Sequence, residues 1–78
     1  MIYKKISGKD YLKLQDKTGA YLLLWPNGSK SWYLNGLYHR ENGPAIEWAD
    51  GRKNWWVHGT WYKTEEEWEI AKIKDQIV

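Results

Sequence analysis

The stretch Trp25-Pro26-Asn27-Gly28-Ser29-Lys30-Ser31-Trp32-Tyr33-Leu34-Asn35-Gly36 returns 23 residues later as Trp48-Ala49-Asp50-Gly51-Arg52-Lys53-Asn54-Trp55-Trp56-Val57-His58-Gly59. Trp25/Trp48, Gly28/Gly51, Lys30/Lys53, Trp32/Trp55 and Gly36/Gly59 are identical, and Asn27/Asp50, Tyr33/Trp56 and Leu34/Val57 are conservative replacements. Recurrence at a fixed period marks one supersecondary unit built twice. Each copy carries a turn dipeptide, Asn27-Gly28 or Asp50-Gly51, whose residues tolerate positive φ and close a hairpin. Asn35-Gly36 and His58-Gly59 supply the next reversals. The chain is therefore expected to run as an antiparallel β-meander built from hairpin repeats.

Upstream of the repeat, Asp16-Lys17-Thr18-Gly19 reads as a further turn. Strands are expected at about 2–6, 10–15, 20–25, 30–34, 44–48 and 53–57, with a short one at 60–62. Side chains alternate across a strand. Lys30, Trp32 and Leu34 therefore share one face with Lys53, Trp55 and Val57, and this is the expected core face. Ser29, Ser31, Tyr33, Arg52, Asn54 and Trp56 share the other, a polar face carrying Tyr33 and Trp56 as an exposed aromatic pair. Trp25 and Trp48, at equivalent strand ends, are expected to stack along the sheet as part of the fold's own packing.

Downstream, Thr64-Glu65-Glu66-Glu67 is a capping box, with three acidic residues placed to complement the helix dipole. Trp68, Ile70, Ala71, Ile73 and Ile77 follow at helical spacing. A helix over about 65–76 is expected to lay the stripe Ile70, Ile73, Ile77 on the sheet. The expected fold is mainly β with one C-terminal helix, an α+β class: a meander capped by an amphipathic helix. Its single domain, 1–78, divides into N-terminal strands (1–19), two hairpin units (20–42 and 43–63) and a capping helix (64–78).

Composition narrows the function classes. The chain has 78 residues, seven Trp and six Tyr, no Phe and no Cys. Zero Cys removes disulfides and thiolate metal sites. The longest apolar run, Tyr21 to Trp25, is strand-sized, far below a membrane span. The N-terminus Met1-Ile2-Tyr3-Lys4-Lys5-Ile6 has no apolar signal core, so a cytoplasmic setting is expected, the host cytoplasm if the chain is phage-encoded. Residues 1–40 hold seven Lys/Arg against two Asp, a charge of +5, and residues 41–78 hold five against eight Asp/Glu, −3. The N-terminal lysines read first as edge-strand protection, second as a surface for acidic ligands.

The segment Leu34-Asn35-Gly36-Leu37-Tyr38-His39-Arg40-Glu41-Asn42-Gly43-Pro44-Ala45 resembles a repeat of the form His-Arg-x-x-Gly-Pro-Ala. That repeat occurs in tandem in small phage and bacterial proteins and is loosely similar to MORN-type hairpin repeats. The resemblance covers about residues 20–70. The second copy departs from it by placing Tyr62-Lys63 where His39-Arg40 would fall and then entering the helix. End units of a stack differ in order to seal it. The resemblance implies a meander fold and a phage or mobile-element origin, and no catalytic residues.

Two His, no Cys, no nucleophile elbow, no His-Glu-x-x-His and no phosphate loop make a non-enzyme the expectation. His39 and His58 occupy non-equivalent repeat positions and do not read as a pair. No cofactor or metal is expected. Trp, Tyr and Arg dominate interface energetics, so the leading expectation is a small non-catalytic phage protein. It would bind and inhibit a host protein, as an anti-defence factor for example, and would itself be homo-oligomeric. Tyr33, Trp56, Arg40, His39, Arg52 and Trp61 are the candidate binding residues. Two alternatives stand beside this expectation. One is a sponge for a cyclic or signalling nucleotide, with bases on aromatic faces and Arg40, Arg52, Lys30 and Lys53 on phosphates. The other is a single-stranded nucleic-acid binder using the basic N-terminal half.

Overall fold

The structure is a computed structural model and describes residues 1–77. Val78, and the side chain of Ile77 that the sequence places on the helix stripe, lie outside the described residues. The elements are β1 (Lys4–Ser7), α1 (Gly8–Leu12), β2 (Ala20–Leu24), β3 (Lys30–Leu34), β4 (Leu37–Tyr38), β5 (Ile46–Glu47), β6 (Lys53–Val57), β7 (Thr60–Tyr62) and α2 (Glu65–Ile77). The fold is thus a β-sheet with a C-terminal helix, α+β as expected.

Both repeat copies build the same turn, bond for bond. The amide of Trp25 donates to Ser29 O and that of Trp48 to Arg52 O, while Gly28 and Gly51 donate back to Trp25 O and Trp48 O. The Asn27 and Asp50 side chains each accept the amide two residues on. Gly28 and Gly51 sit at φ 92° and 93°, a region a Cβ disfavours. Asn35 and His58 also match, at φ 51° and 46°.

From β2 to β7 the strands form the antiparallel meander that these turns dictate, with Tyr21 opposite Tyr33, Ser31 opposite Ile46, and Trp56 opposite Trp61. One strand of it is broken. β4 and β5 pair with the two ends of β3, and residues 39–45 loop out between them. The loop is pinched at a single residue: His39 N–H donates to Trp32 O (3.0 Å) and Trp32 N–H donates to Ala45 O (2.7 Å). The expected strand at 44–48 is therefore only Ile46–Glu47, and Leu37–Tyr38 is its unforeseen other half.

The N-terminus corrects the expectation most. Residues 10–15 are not a strand. Ser7 caps α1 by accepting the Asp10 amide (3.0 Å), and the short helix carries the chain across to β2. β1 consequently runs parallel to β2, so the sheet is mixed. A parallel pair needs a crossover of about a dozen residues, which the stretch 8–19 supplies. Alternating Leu12 and Leu14 with Lys13 and Gln15 mimicked a strand. The burial of Tyr11 (3 % exposed) against Tyr21 and Tyr33 overrides that pattern.

Both sheet faces are covered. On the expected core face Trp32 and Val57 are buried, and Trp55 is half-buried against Trp68 of α2, ring centroids 4.7 Å apart. The opposite face, expected to be polar and open, carries a continuous aromatic row. Tyr11 lies 5.0 Å from Tyr33, Tyr33 4.5 Å from Tyr38, and Tyr38 4.9 Å from Trp56. Ser29 and Ser31 are buried on this face as well.

Helix α2 starts as expected, with the Glu67 amide on Thr64 Oγ1 (3.2 Å). It is rotated from the expected orientation. Trp68, Ala71 and Lys72 turn inward, and Asp75, on the same helical face, stays exposed at its end. The Trp68 indole donates to Arg40 O, Lys72 Nζ to Glu41 O, and Asp75 meets His58 Nε2 at 3.1 Å. Ile70 and Ile73 are left exposed. A buried Trp with a satisfied N–H outweighs the burial of aliphatic side chains on the other stripe. No helix among the described residues is long and apolar enough to cross a membrane.

Candidate functional site

Residues 39–45 owe their spacing to packing. The Arg40 guanidinium lies 3.7 Å over the Trp32 ring, and its Nη1 donates to Pro44 O (3.1 Å) and to Glu47 Oε2 (3.0 Å). A Cβ on Gly43 would stand 2.7 Å from Arg40 Cζ, so only glycine lets the guanidinium lie flat there. Ala45 is fully buried between strands, accepting from Trp32 and donating to Asn54 O. Arg40 is thus held within the fold by three partners.

His39 is the polar centre of this region. Its side chain is 2 % exposed, and its Nδ1 accepts the His58 amide at 2.9 Å. The neutral ring accordingly carries its proton on Nε2. That atom has no hydrogen-bond partner among the described residues and lies 3.5 Å from Glu41 Oε1. Burial, and then the neighbouring His58, lower the His39 pKa below the usual histidine value. The structure also joins two residues the repeat had kept apart: the His39 and His58 rings are 4.2 Å apart, and His58 passes on to Asp75.

The other sequence-nominated residues scatter. Tyr33 and Trp56 are half-buried, with Tyr38 between them, rather than an exposed pair. Burial, then the hydrogen bond to Tyr38, push the Tyr33 phenol far above its usual value, so it stays neutral. Trp61 is half exposed on the edge strand β7, and Arg52 is exposed, bonded to Asp50 Oδ2 at 2.8 Å. Lys30 and Lys53 stand either side of Glu47 in the register, in the row opposite to that of Ser31 and Ile46. Arg40 is bonded to Glu47 as well, so three of the four cations gather around that carboxylate, on the face away from Ser31 and Ile46, while Arg52 stands apart on its turn. Among the described residues no group of three His, Asp or Glu is positioned for a metal.

What the structure does assemble is a cleft of about 270 Å³ lined by Trp25, Asn27, Ser29, Ser31, Tyr38, Ile46 and Trp48. The repeat builds it. The Trp25 indole N–H donates to Ser31 Oγ (3.0 Å), and the Trp48 indole N–H donates to Asn54 Oδ1. In both copies the acceptor lies six residues on. Trp25 also lies against Gly8 of α1 so closely that a Cβ there would overlap its ring. Trp25 is therefore held by a bond and by packing, and Trp48 by the equivalent bond. At the buried base, Ser29 Oγ accepts the Ala49 amide (3.0 Å) and Ser31 Oγ accepts the Trp25 indole. Neither hydroxyl donates to another described residue.

Sequence reasoning assigned Trp25 and Trp48 to packing alone. The usable signal was the pair of hydrogen-bonding residues, Ser31 and Asn54, six positions after each Trp on the same strand face. No family model, curated protein or solved structure matches the chain.

Proposed function

We propose that the chain is a small non-catalytic binding protein that acts by direct contact between its aromatic sheet surface and a protein partner. On the resemblance of residues 34–45 to the phage and bacterial repeat, that partner is a host protein whose function is blocked when it is held. The observation that carries this reading is the cleft with its two repeat-equivalent indoles. They are fixed in advance, uncharged and partly open to solvent, so binding there costs little side-chain ordering. Aromatic anchors in preformed pockets are where interface energy concentrates.

The supporting contrast is chemical. Among the described residues the titratable cluster centres on His39, whose Nδ1 is engaged with backbone and whose ring is 2 % exposed and out of a substrate's reach, while His58, Glu41 and Asp75 around it are about half exposed.

The test is affinity capture from host cells with tagged chain, beside a Trp25→Ala/Trp48→Ala variant. The expected result is one host protein at near-stoichiometric yield with the wild type. Recovery of no host protein at that level overturns the proposal.

A further inference from the structure

Helix α2 gives one side to the sheet and the other to solvent. Trp68 and Lys72 are bonded to the Arg40 and Glu41 carbonyls. Ile70 and Ile73 stand on the far side, 47 % and 56 % exposed. At a spacing of three residues they are neighbours on the helix and form one apolar stripe. Beside the stripe a groove of about 350 Å³ runs between α2 and β7, lined by Tyr62, Glu67, Ile70, Ala71 and Lys74. It has an apolar floor with an acid towards one end and a base towards the other.

Those two charges lack partners. Glu67 and Lys74 are both exposed, and the ion pairs formed among the described residues involve neither. Seven residues of helix separate them by about 10.5 Å, too far for them to meet each other. Seven residues are also close to two full turns, which returns both to the same flank of the stripe.

This arrangement is its own complement. A two-fold axis across α2 would lay the helix of a second copy antiparallel, stripe on stripe, with each flank beside the same flank of the other copy. Ile70 would then meet the partner's Ile73, and Glu67 the partner's Lys74, each contact being made twice. A parallel pair would instead gather Glu65, Glu66, Glu67 and Glu69 of both copies at one end, where like charges repel. The same four glutamates disfavour an anionic surface such as nucleic acid. An unrelated protein would have to carry an acid, an apolar pair and a base at this spacing, whereas a second copy carries them by construction.

The helix also leaves the Trp25–Trp48 cleft free. Trp55, the residue under Trp68, alternates in β6 with Asn54, which lies in the row of Ile46 and Ser31 that lines the cleft. The helix and the cleft are therefore on opposite faces of the sheet.

We infer that α2 is the interface of an antiparallel two-fold homodimer, in which the Ile70–Ile73 stripes face each other and Glu67 pairs with the partner's Lys74. The inference is independent of what occupies the cleft. A helix of 13 residues is about 20 Å long, a contact at the small end of specific interfaces, so a weak dimer in the micromolar range is expected.

Sedimentation equilibrium of the full chain from about 10 μM to about 1 mM brackets such a dimer. The expected result is a mass rising from one chain to two. Ile73→Glu, at an exposed position, should keep the melting curve recorded at the lowest concentration and weaken the dimer about tenfold or more. Glu67→Lys and Lys74→Glu should each weaken it, because each sets two like-charged pairs across the axis. Glu67→Lys/Lys74→Glu, which has the wild-type net charge, should regain most of the loss. Circular dichroism checks that α2 is intact in each, and Ile73→Glu decides alone if the Glu67 variants fray the helix. Trp61→Ala, on the other sheet face, should leave the mass curve unchanged. So should Trp25→Ala/Trp48→Ala, which keeps this test separate from host-protein capture. A single-chain mass at every concentration, or a dimer that Ile73→Glu leaves intact, overturns the inference. A double variant with intact helix that dimerises no better than either single variant overturns it too, since Glu67 and Lys74 then do not meet across an axis.

Discussion

The two copies of the 23-residue unit agree at their turns and part company immediately after them. In the first, β3 is followed by the broken strand and the loop 39–45, and Trp32 is sealed by Arg40 from that loop. In the second, β6 and β7 lead straight into α2, and Trp55 is covered by Trp68 from the helix. Two equivalent tryptophans thus receive different lids. Trp32 ends 6 % exposed while Trp55 stays half-buried. The turn belongs to the repeat, and the lid belongs to the position in the chain. The first unit can be closed by its own loop because a further hairpin follows to pair with it. The second is followed by a helix and closes with that.

The comparison is broken most severely at the two core tryptophans. Trp32→Ala should cost about 3–5 kcal/mol, enough to unfold most of a domain this small. Trp55→Ala should cost less, in proportion to its partial burial. Melting of both variants checks this, and a larger loss at Trp55 would mean that the helix and not the loop forms the better lid.

Next come the residues that make the lid. Arg40→Ala removes a stacked, doubly bonded guanidinium and should cost about 2 kcal/mol. Lys63→Ala, at the equivalent exposed position, should fall within about 0.5 kcal/mol of wild type. Urea titration of both measures the asymmetry directly.

The turns should instead behave alike. Gly28→Ala and Gly51→Ala, at φ 92° and 93°, should each lose about 1–2 kcal/mol and match one another closely. Unequal losses would show that one turn leans on its surroundings, and Gly28, where an added Cβ would lie 3.9 Å from the Ala49 Cβ, is the one to suspect.

The smallest effect is a pH dependence present in the first copy alone, since Tyr62 stands where His39 would recur. His39 is buried and held neutral, so its folded pKa lies below the unfolded value of about 6.5. The unfolded chain therefore binds the proton first. His39's contribution to stability is complete above about pH 6.5 and is lost as the pH falls below it. The slope is at most about 1.4 kcal/mol per pH unit for one proton. Melting temperatures of wild type and His39→Gln between pH 5 and 7 should converge as the pH falls. Parallel curves would place the acid sensitivity elsewhere.

Much of this was legible in the sequence, for reasons tied to particular residues. Asn27-Gly28, Asp50-Gly51 and the two following reversals carry their own φ preferences, so the meander could be read locally. The helix start was equally local, because Thr64 answers the Glu67 amide three residues on. The pairing of His39 with His58 was not legible, since it arises where the end of β4 meets the end of β6, a contact between residues 19 apart. The cleft was hidden for a similar reason. Each Trp is anchored within its own copy, but the space they line exists only once both copies share a sheet.

The sequence by itself determined the repeat, its turns, the α+β class and the position of the C-terminal helix, because these depend on backbone preferences and spacings within a few residues. Tertiary structure alone decided the parallel course of β1, the rotation of α2 that leaves Ile70 and Ile73 exposed, the burial of both sheet faces and the cleft between the copies. Each was a choice between patterns the sequence allowed almost equally. The helix could present its isoleucine stripe or its Trp68 stripe, and residues 10–15 could form a strand or a crossover. What settled them was the burial of Trp68 and Tyr11 with their partners, and those partners meet only when distant strands come together.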